Sequence, residues 1–150
     1  MSPKVIGQVG PRPNWDQWAL GIAHAVASRA DCTRRQVGAV ALGPDHRVLG
    51  TGYNGAPSGR PGCATAGACP RGRFGYDAVA SGAPYSSGGD STCDALHAEE
   101  NAVLHLSPAE RAGATIYVTD EPCPNCTRFL AGAGIARVVW PTGEIEYSGA

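Results

Sequence analysis

The sequence predicts an α/β fold in which helices pack on a mixed β-sheet. Three observations predict it. Apolar residues recur at helical spacing over residues 15–30. Two short apolar runs, 37–42 and 48–53, flank the turn-forming Gly43-Pro44-Asp45 and read as an antiparallel pair. Beyond a long glycine-rich stretch, the C-terminal half alternates helix, strand, helix, strand.

At 150 residues the chain is long enough for one domain with a real hydrophobic core, and a single domain over 1–150 is expected. The composition, 43% hydrophobic and 17% charged, is that of a soluble globular chain. A net charge of -1 argues against a large basic surface, so no nucleic-acid partner is expected. No apolar run approaches the ~18 residues of a membrane span. Residues 1–7 lack the apolar core of a signal peptide, and a cytoplasmic location follows as the expectation.

Residues 1–13 are punctuated by Pro3, Gly7, Gly10, Pro11 and Pro13 and read as an irregular tail. Asn14 can cap the first helix, whose apolar positions are Trp15, Trp18, Ala19, Ile22, Ala23, Val26 and Ala27. Both tryptophans are expected in the core. The second strand ends in Tyr53-Asn54-Gly55-Ala56-Pro57, a turn with an amide able to face a site. Residues 55–93 are rich in Gly, Ser and Pro without periodicity. A loop of that length is uncommon in a compact domain. It is either tied down, with Cys63, Cys69 and Cys93 as the natural ties, or disordered. A helix follows over 94–106, a short turn over 108–111 and a strand over 114–119. Pro122 opens a helix that ends at Gly134. A strand over 135–140 comes next, and Ile145-Glu146-Tyr147 pairs as a last short one.

The chemistry lies in two motifs. His97-Ala98-Glu99 offers an imidazole and, two residues on, a carboxylate; Pro122-Cys123-Pro124-Asn125-Cys126 offers two thiols in CxxC spacing. Six cysteines in a cytosolic chain of this size favour metal or catalysis over disulfides. His97, Cys123 and Cys126 supply three zinc ligands and leave a fourth position for water, while Glu99 stays unattached as an acid/base group. A thioredoxin-like redox pair and a closed structural zinc compete for the CxxC. The first leaves His97 and Glu99 unexplained, and the second leaves Glu99 without a use. H-x-E with P-C-x-x-C is the signature of zinc nucleobase deaminases. In that reading an activated water attacks the ring carbon bearing an exocyclic amine. Glu99 protonates the ring nitrogen and then the leaving amine, and ammonia departs.

On these motifs the chain resembles the zinc-dependent cytidine and deoxycytidylate deaminase superfamily. Three further segments make it similar to the deoxycytidylate (dCMP) deaminase branch: Arg34-Arg35-Gln36-Val37-Gly38-Ala39-Val40, Gly52-Tyr53-Asn54-Gly55, and Asn101 after the His-Ala-Glu triplet. The resemblance covers roughly residues 15–140. It implies a three-layer α/β/α fold around a five-stranded sheet, and hydrolysis of dCMP to dUMP and ammonia. Asn54 is then expected to hydrogen-bond the substrate, Arg34 and Arg35 to meet its 5′-phosphate, and Ala98 and Tyr147 to contact it. A guanidinium fork suits phosphate better than a point charge does. A homo-oligomer, commonly a hexamer, with dCTP and dTTP as effectors is implied as well. So is a second, structural zinc in some members, for which Cys32 and Cys63 match the expected places and Cys69 and Cys93 complete four thiolates. The alternatives are deamination of another small aminated heterocycle or modified cytosine nucleotide, and a non-catalytic zinc-stabilised binding domain. A pure scaffold has no use for Glu99.

Overall fold

The computed structural model describes residues 10–59, 62 and 95–147. Its elements are α1 (Trp15–Ala27), β1 (Gly38–Leu42), β2 (Val48–Tyr53), α2 (Ala98–Val103), α3 (Pro108–Arg111), β3 (Thr115–Val118), α4 (Pro124–Gly132), β4 (Arg137–Trp140) and β5 (Gly143–Glu146). The strands form one mixed sheet in the order β2-β1-β3-β4-β5. β3 and β4 run parallel, joined through α4; every other neighbouring pair is antiparallel. The short last strand expected over 145–147 is β5, which pairs Val138 with Ile145. The irregular tail lies outside the described residues up to position 9, and the glycine-rich stretch lies outside them at 60–61 and 63–94.

Alternation along the strands divides the core in two. Ala39, Ala41, Ile116, Val118 and Val138 face α2 and α4, whose Ala98, Ala102, Val103 and Leu130 complete that layer. Val40, Leu42, Tyr117 and Val139 face α1 through Ala19 and Ala23. Helices therefore cover both faces, giving three layers. No helix among the described residues is long and apolar enough to cross a membrane.

Two glycines set how closely those layers approach. A Cβ on Gly38 would run into the Ala23 carbonyl of α1. A Cβ on Gly52 would run into the Ala98 carbonyl and the Ala102 amide of α2. The backbone of each helix rests almost directly on a strand, which is why its buried positions are mostly alanines.

That close seating corrects the expectation for the tryptophans. Trp15 and Trp18 are 47% and 39% exposed. The buried stripe of α1 is Ala19, Ala23 and Ala27, a four-residue repeat of small side chains. A helix seated on such a stripe leaves no depth for an indole. Trp15 instead stacks on His46 of the β1–β2 turn, with ring centroids 4.3 Å apart, and meets Trp18 edge-on.

The first turn of α1 is anchored by charge. Asn14 and Gln17 form a reciprocal cap. Asp16 accepts two bonds from the Arg137 guanidinium, at 2.9 and 3.0 Å, and one from the Tyr117 hydroxyl at 2.9 Å. Arg137 also reaches Glu144, so one cluster ties α1 to β3, β4 and β5. The Arg137 bonds hold the Asp16 carboxyl below its ordinary value, against the opposing effect of burial. Burial, together with Asp16, pushes the Tyr117 phenol up to about 12.

The glycine contacts predict opposite effects of the same substitution. Gly52→Ala destabilises by about 3 kcal/mol by prising α2 from the sheet, whereas Gly21→Ala, with open space around its Cβ, stabilises by about 0.5–1 kcal/mol. Denaturant midpoints of the two variants check this. The Asp16 cluster predicts a pH effect. Because the folded carboxyl titrates below its unfolded value near 3.8, its stabilisation is present above about pH 4 and lost as pH falls through the folded pKa. The gap in melting temperature between the wild type and Asp16→Asn therefore narrows from pH 7 to pH 3.

Candidate functional site

The site lies where the approach to α2 meets the approach to α4. Gly55 and Leu96 form an antiparallel bridge, with Leu96 N–H donating to the Gly55 carbonyl at 2.8 Å. Asn101 Nδ2 donates to the Tyr53 carbonyl at 2.8 Å. These bonds pin the start of α2 to the end of β2. His97 takes the N-cap position, and its backbone N–H is satisfied by the Glu100 carboxylate at 2.8 Å. Cys123 takes the same position on α4, with Pro124 opening the helix. A cap residue stands outside the helix, so both side chains are turned toward the gap between the two helices.

There His97, Cys123 and Cys126 gather, their ligand atoms all within 4.8 Å of one another. His97 Nδ1 is 3.9 Å from Cys123 Sγ. Tetrahedral zinc, with bonds of about 2.0–2.3 Å, separates its N and S ligands by about 3.5 Å, so this edge needs to tighten by only a few tenths of an ångström. Cys126 N–H donates to Cys123 Sγ at 3.4 Å.

Glu99, 3% exposed, stands beside this triangle. Burial drives its carboxyl up, opposed by its own backbone amide and by a hydrogen bond with Cys126. Burial also drives the Cys126 thiol up, reinforced by Glu99 and Cys123. Glu99 and Cys126 are buried side by side, and a divalent cation bound there would favour the ionised Cys126. The donor set thus fits zinc.

A pocket opens above the triangle. His97, Glu99 and Cys123 line its floor, Val37, Ala98 and Asn54 its wall, and the more exposed Arg35, Asp120 and Glu121 its mouth. Asn54 is 1% exposed. Its Oδ1 accepts from Val37 N–H at 2.8 Å and its Nδ2 donates to the Arg35 carbonyl at 3.0 Å. Those partners fix the amide's orientation and leave a second Nδ2 hydrogen for the pocket. At the mouth, Arg35 Nη2 donates to Asp120 Oδ2 at 2.8 Å.

The profile of the cytidine and deoxycytidylate deaminase zinc-binding region matches residues 13–142. The chain belongs to this deaminase family. Within it the chain stands in the deoxycytidylate branch. It is 52% identical to the deoxycytidylate deaminase of Mycobacterium phage D29 over 130 residues, 87% of this chain and 96% of that protein. It is 39% identical to the deoxycytidylate deaminase of Schizosaccharomyces pombe, covering 87% of this chain but 38% of the yeast protein. Among solved structures it is similar to the dCMP deaminase of cyanophage S-TIM5 in complex with dCMP and dUMP. The TM-score is 0.62 at 25% identity, over 87% of this chain and 83% of that one.

Not every residue expected at this deaminase site lies in it. His97, Ala98, Glu99, Cys123, Asn54 and Arg35 line the pocket; Arg34 and Tyr147 do not. The Tyr147 hydroxyl donates to the Thr127 carbonyl at 2.7 Å, and its ring packs on the core. That bond ties the residue after β5 to α4. Arg34 follows Cys32 in a tight turn, with its backbone N–H directed at Cys32 Sγ. Adjacent residues in an irregular segment face different ways, and Arg35 is the one on the pocket. Cys126 completes the triangle beneath the floor. Cys63, Cys69 and Cys93 lie outside the described residues. Asp120 and Glu121 were not singled out from the sequence. Their signal was their position, between the end of β3 and the Pro122-Cys123 pair that opens α4.

Proposed function

We propose that the chain is a single zinc-dependent deaminase domain that hydrolyses dCMP to dUMP and ammonia. One observation carries the reading: a buried carboxylate, Glu99, beside the His97, Cys123 and Cys126 triangle, on the floor of a pocket with Arg35 at its mouth. The names of the D29 and yeast relatives support the substrate. His97, Cys123 and Cys126 would hold zinc, which when bound would supply Lewis acidity that eases the ionisation of water near neutral pH.

The chain's own residues do the rest. Glu99 takes a proton from the attacking water and delivers it to ring N3, making C4 electrophilic. A second transfer, to the exocyclic nitrogen, lets ammonia leave. The balance is one water consumed and one ammonia released. Asn54, locked by two backbone bonds, offers its remaining N–H to an oxygen of the substrate. Arg35 receives the 5′-phosphate. The apolar wall at Val37 and Ala98 excludes bulk water around the ring.

The same proposal carries the second zinc, on Cys32, Cys63, Cys69 and Cys93. Cys32 Sγ accepts backbone N–H bonds from Arg34 and Arg35, both at 3.4 Å, the arrangement Cys123 has with Cys126. A cytoplasmic homo-oligomer, hexameric and responsive to dCTP and dTTP, completes the reading.

Ammonia release from a panel of cytosine, adenine and guanine nucleosides and nucleotides tests the activity. dCMP is the preferred substrate, and Glu99→Gln binds dCMP but loses about 10²–10⁴ in kcat. A preference for another aminated ring, or full turnover without Glu99, refutes the assignment. Elemental analysis of the wild type gives about two zinc ions per chain. Cys126→Ser and Cys32→Ser each retain about one, and only the first abolishes activity.

A further inference from the structure

Two carboxylates at the pocket mouth, Asp120 and Glu121, take no part in the proton transfers described above. Asp120 is set firmly in place. The preceding Thr119 donates its N–H to the Gly38 carbonyl at 3.0 Å, and its hydroxyl accepts from Gly38 N–H at 3.1 Å. The partner of Asp120 is equally fixed: the Arg35 carbonyl accepts from Asn54, and the Arg35 guanidinium reaches Asp120 Oδ2 at 2.8 Å. Both side chains are half-exposed, 40% and 46%, while Glu99 below them is buried. Among the described residues, one cation and two anions therefore line the opening, and the floor holds the reacting groups.

Resting on the dCMP reading, we propose that Asp120 is a specificity residue that makes the site choose a 5′-monophosphate over a 5′-diphosphate. A substrate whose ring lies on the floor carries its 5′ group to the mouth. The phosphate nearest the sugar meets Arg35, an interaction common to both ligands. A second phosphate brings further negative charge; among the described residues at the mouth Arg35 is the one cation, and Asp120 and Glu121 stand beside it. At a half-exposed rim such repulsion is screened, yet like charges a few ångströms apart still shift a selectivity ratio about fivefold. Specificity by juxtaposed like charge is a repulsive device, acting on the competitor more than on the substrate.

The test is a ratio, so that any change common to both substrates cancels. Asp120→Asn keeps an oxygen that accepts from Arg35 and removes only the charge. The kcat/KM values for dCMP and dCDP are measured for the wild type, Asp120→Asn and Asp120→Glu. The preference for dCMP falls about fivefold in Asp120→Asn and persists in Asp120→Glu. An unchanged ratio in Asp120→Asn overturns the role of Asp120 while leaving the deaminase reading intact. A wild type inactive on dCMP overturns that reading and this inference with it. A second readout uses the wild type alone. Calorimetric binding of dUMP and dUDP shows discrimination that weakens from low to high salt, and discrimination that is constant with salt overturns the electrostatic account.

Discussion

The close approach of α2 to β2 is the constraint from which the site follows. Gly52 has no side chain, so the α2 backbone at Ala98 and Ala102 rests on the strand. That contact sets the depth at which His97 and Glu99 enter the molecule. It also brings Asn101 within reach of the Tyr53 carbonyl and Leu96 within reach of Gly55. On the other side, β3 delivers Thr119 to Gly38 and turns at once into Cys123 and α4. The two halves of the metal triangle belong to segments that never pair with each other. The shared sheet, together with the direct packing of α2 on α4, holds the two halves in register.

Charge is graded along the pocket. At the floor, Glu99 and the Cys126 thiol are packed where water is scarce, and burial opposes the ionisation of both. At the mouth, Arg35, Asp120 and Glu121 keep contact with solvent and their charges cost little. The wall between is neutral, made of Val37, Ala98 and an Asn54 amide already committed to backbone groups on two sides. A ligand with a flat polar ring at one end and an anion at the other matches this gradient in one orientation only. Reversing it would place phosphate against Glu99, a like-charge contact in a dry volume.

Much of this was legible in the sequence, for reasons that differ by feature. The strand runs and the alternation of helix and strand follow from periodicity, and β1 to β5 appear where apolar runs and turn residues put them. The zinc triangle was legible because ligand chemistry restricts both residue type and spacing. What escaped the sequence depends on long-range placement. The burial of α1 was misread because Trp15 and Trp18 outweigh alanine on any hydrophobicity count, while the seating is decided by Gly38 on a strand eleven residues beyond the helix end. The Asp16, Tyr117 and Arg137 cluster joins positions more than a hundred residues apart, and none of the three carries a local signature. Asp120 became visible only once Arg35 was seen beside it.

The position of Glu99 separates an enzyme from a scaffold of the same fold. Burying a carboxylate costs a protein stability, and an apolar residue of similar size would pack there at no such penalty. The surrounding structure could accept one, since Ala98, Ala102 and Val103 already line the helix on either side. A closed structural zinc would have gained from a fourth ligand at the triangle, yet Glu99, two residues from His97, lines the pocket beside the three candidate ligands. Stability alone gives no reason for an acid at this position, and its place in the pocket is that of a group able to exchange a proton with a ligand bound there.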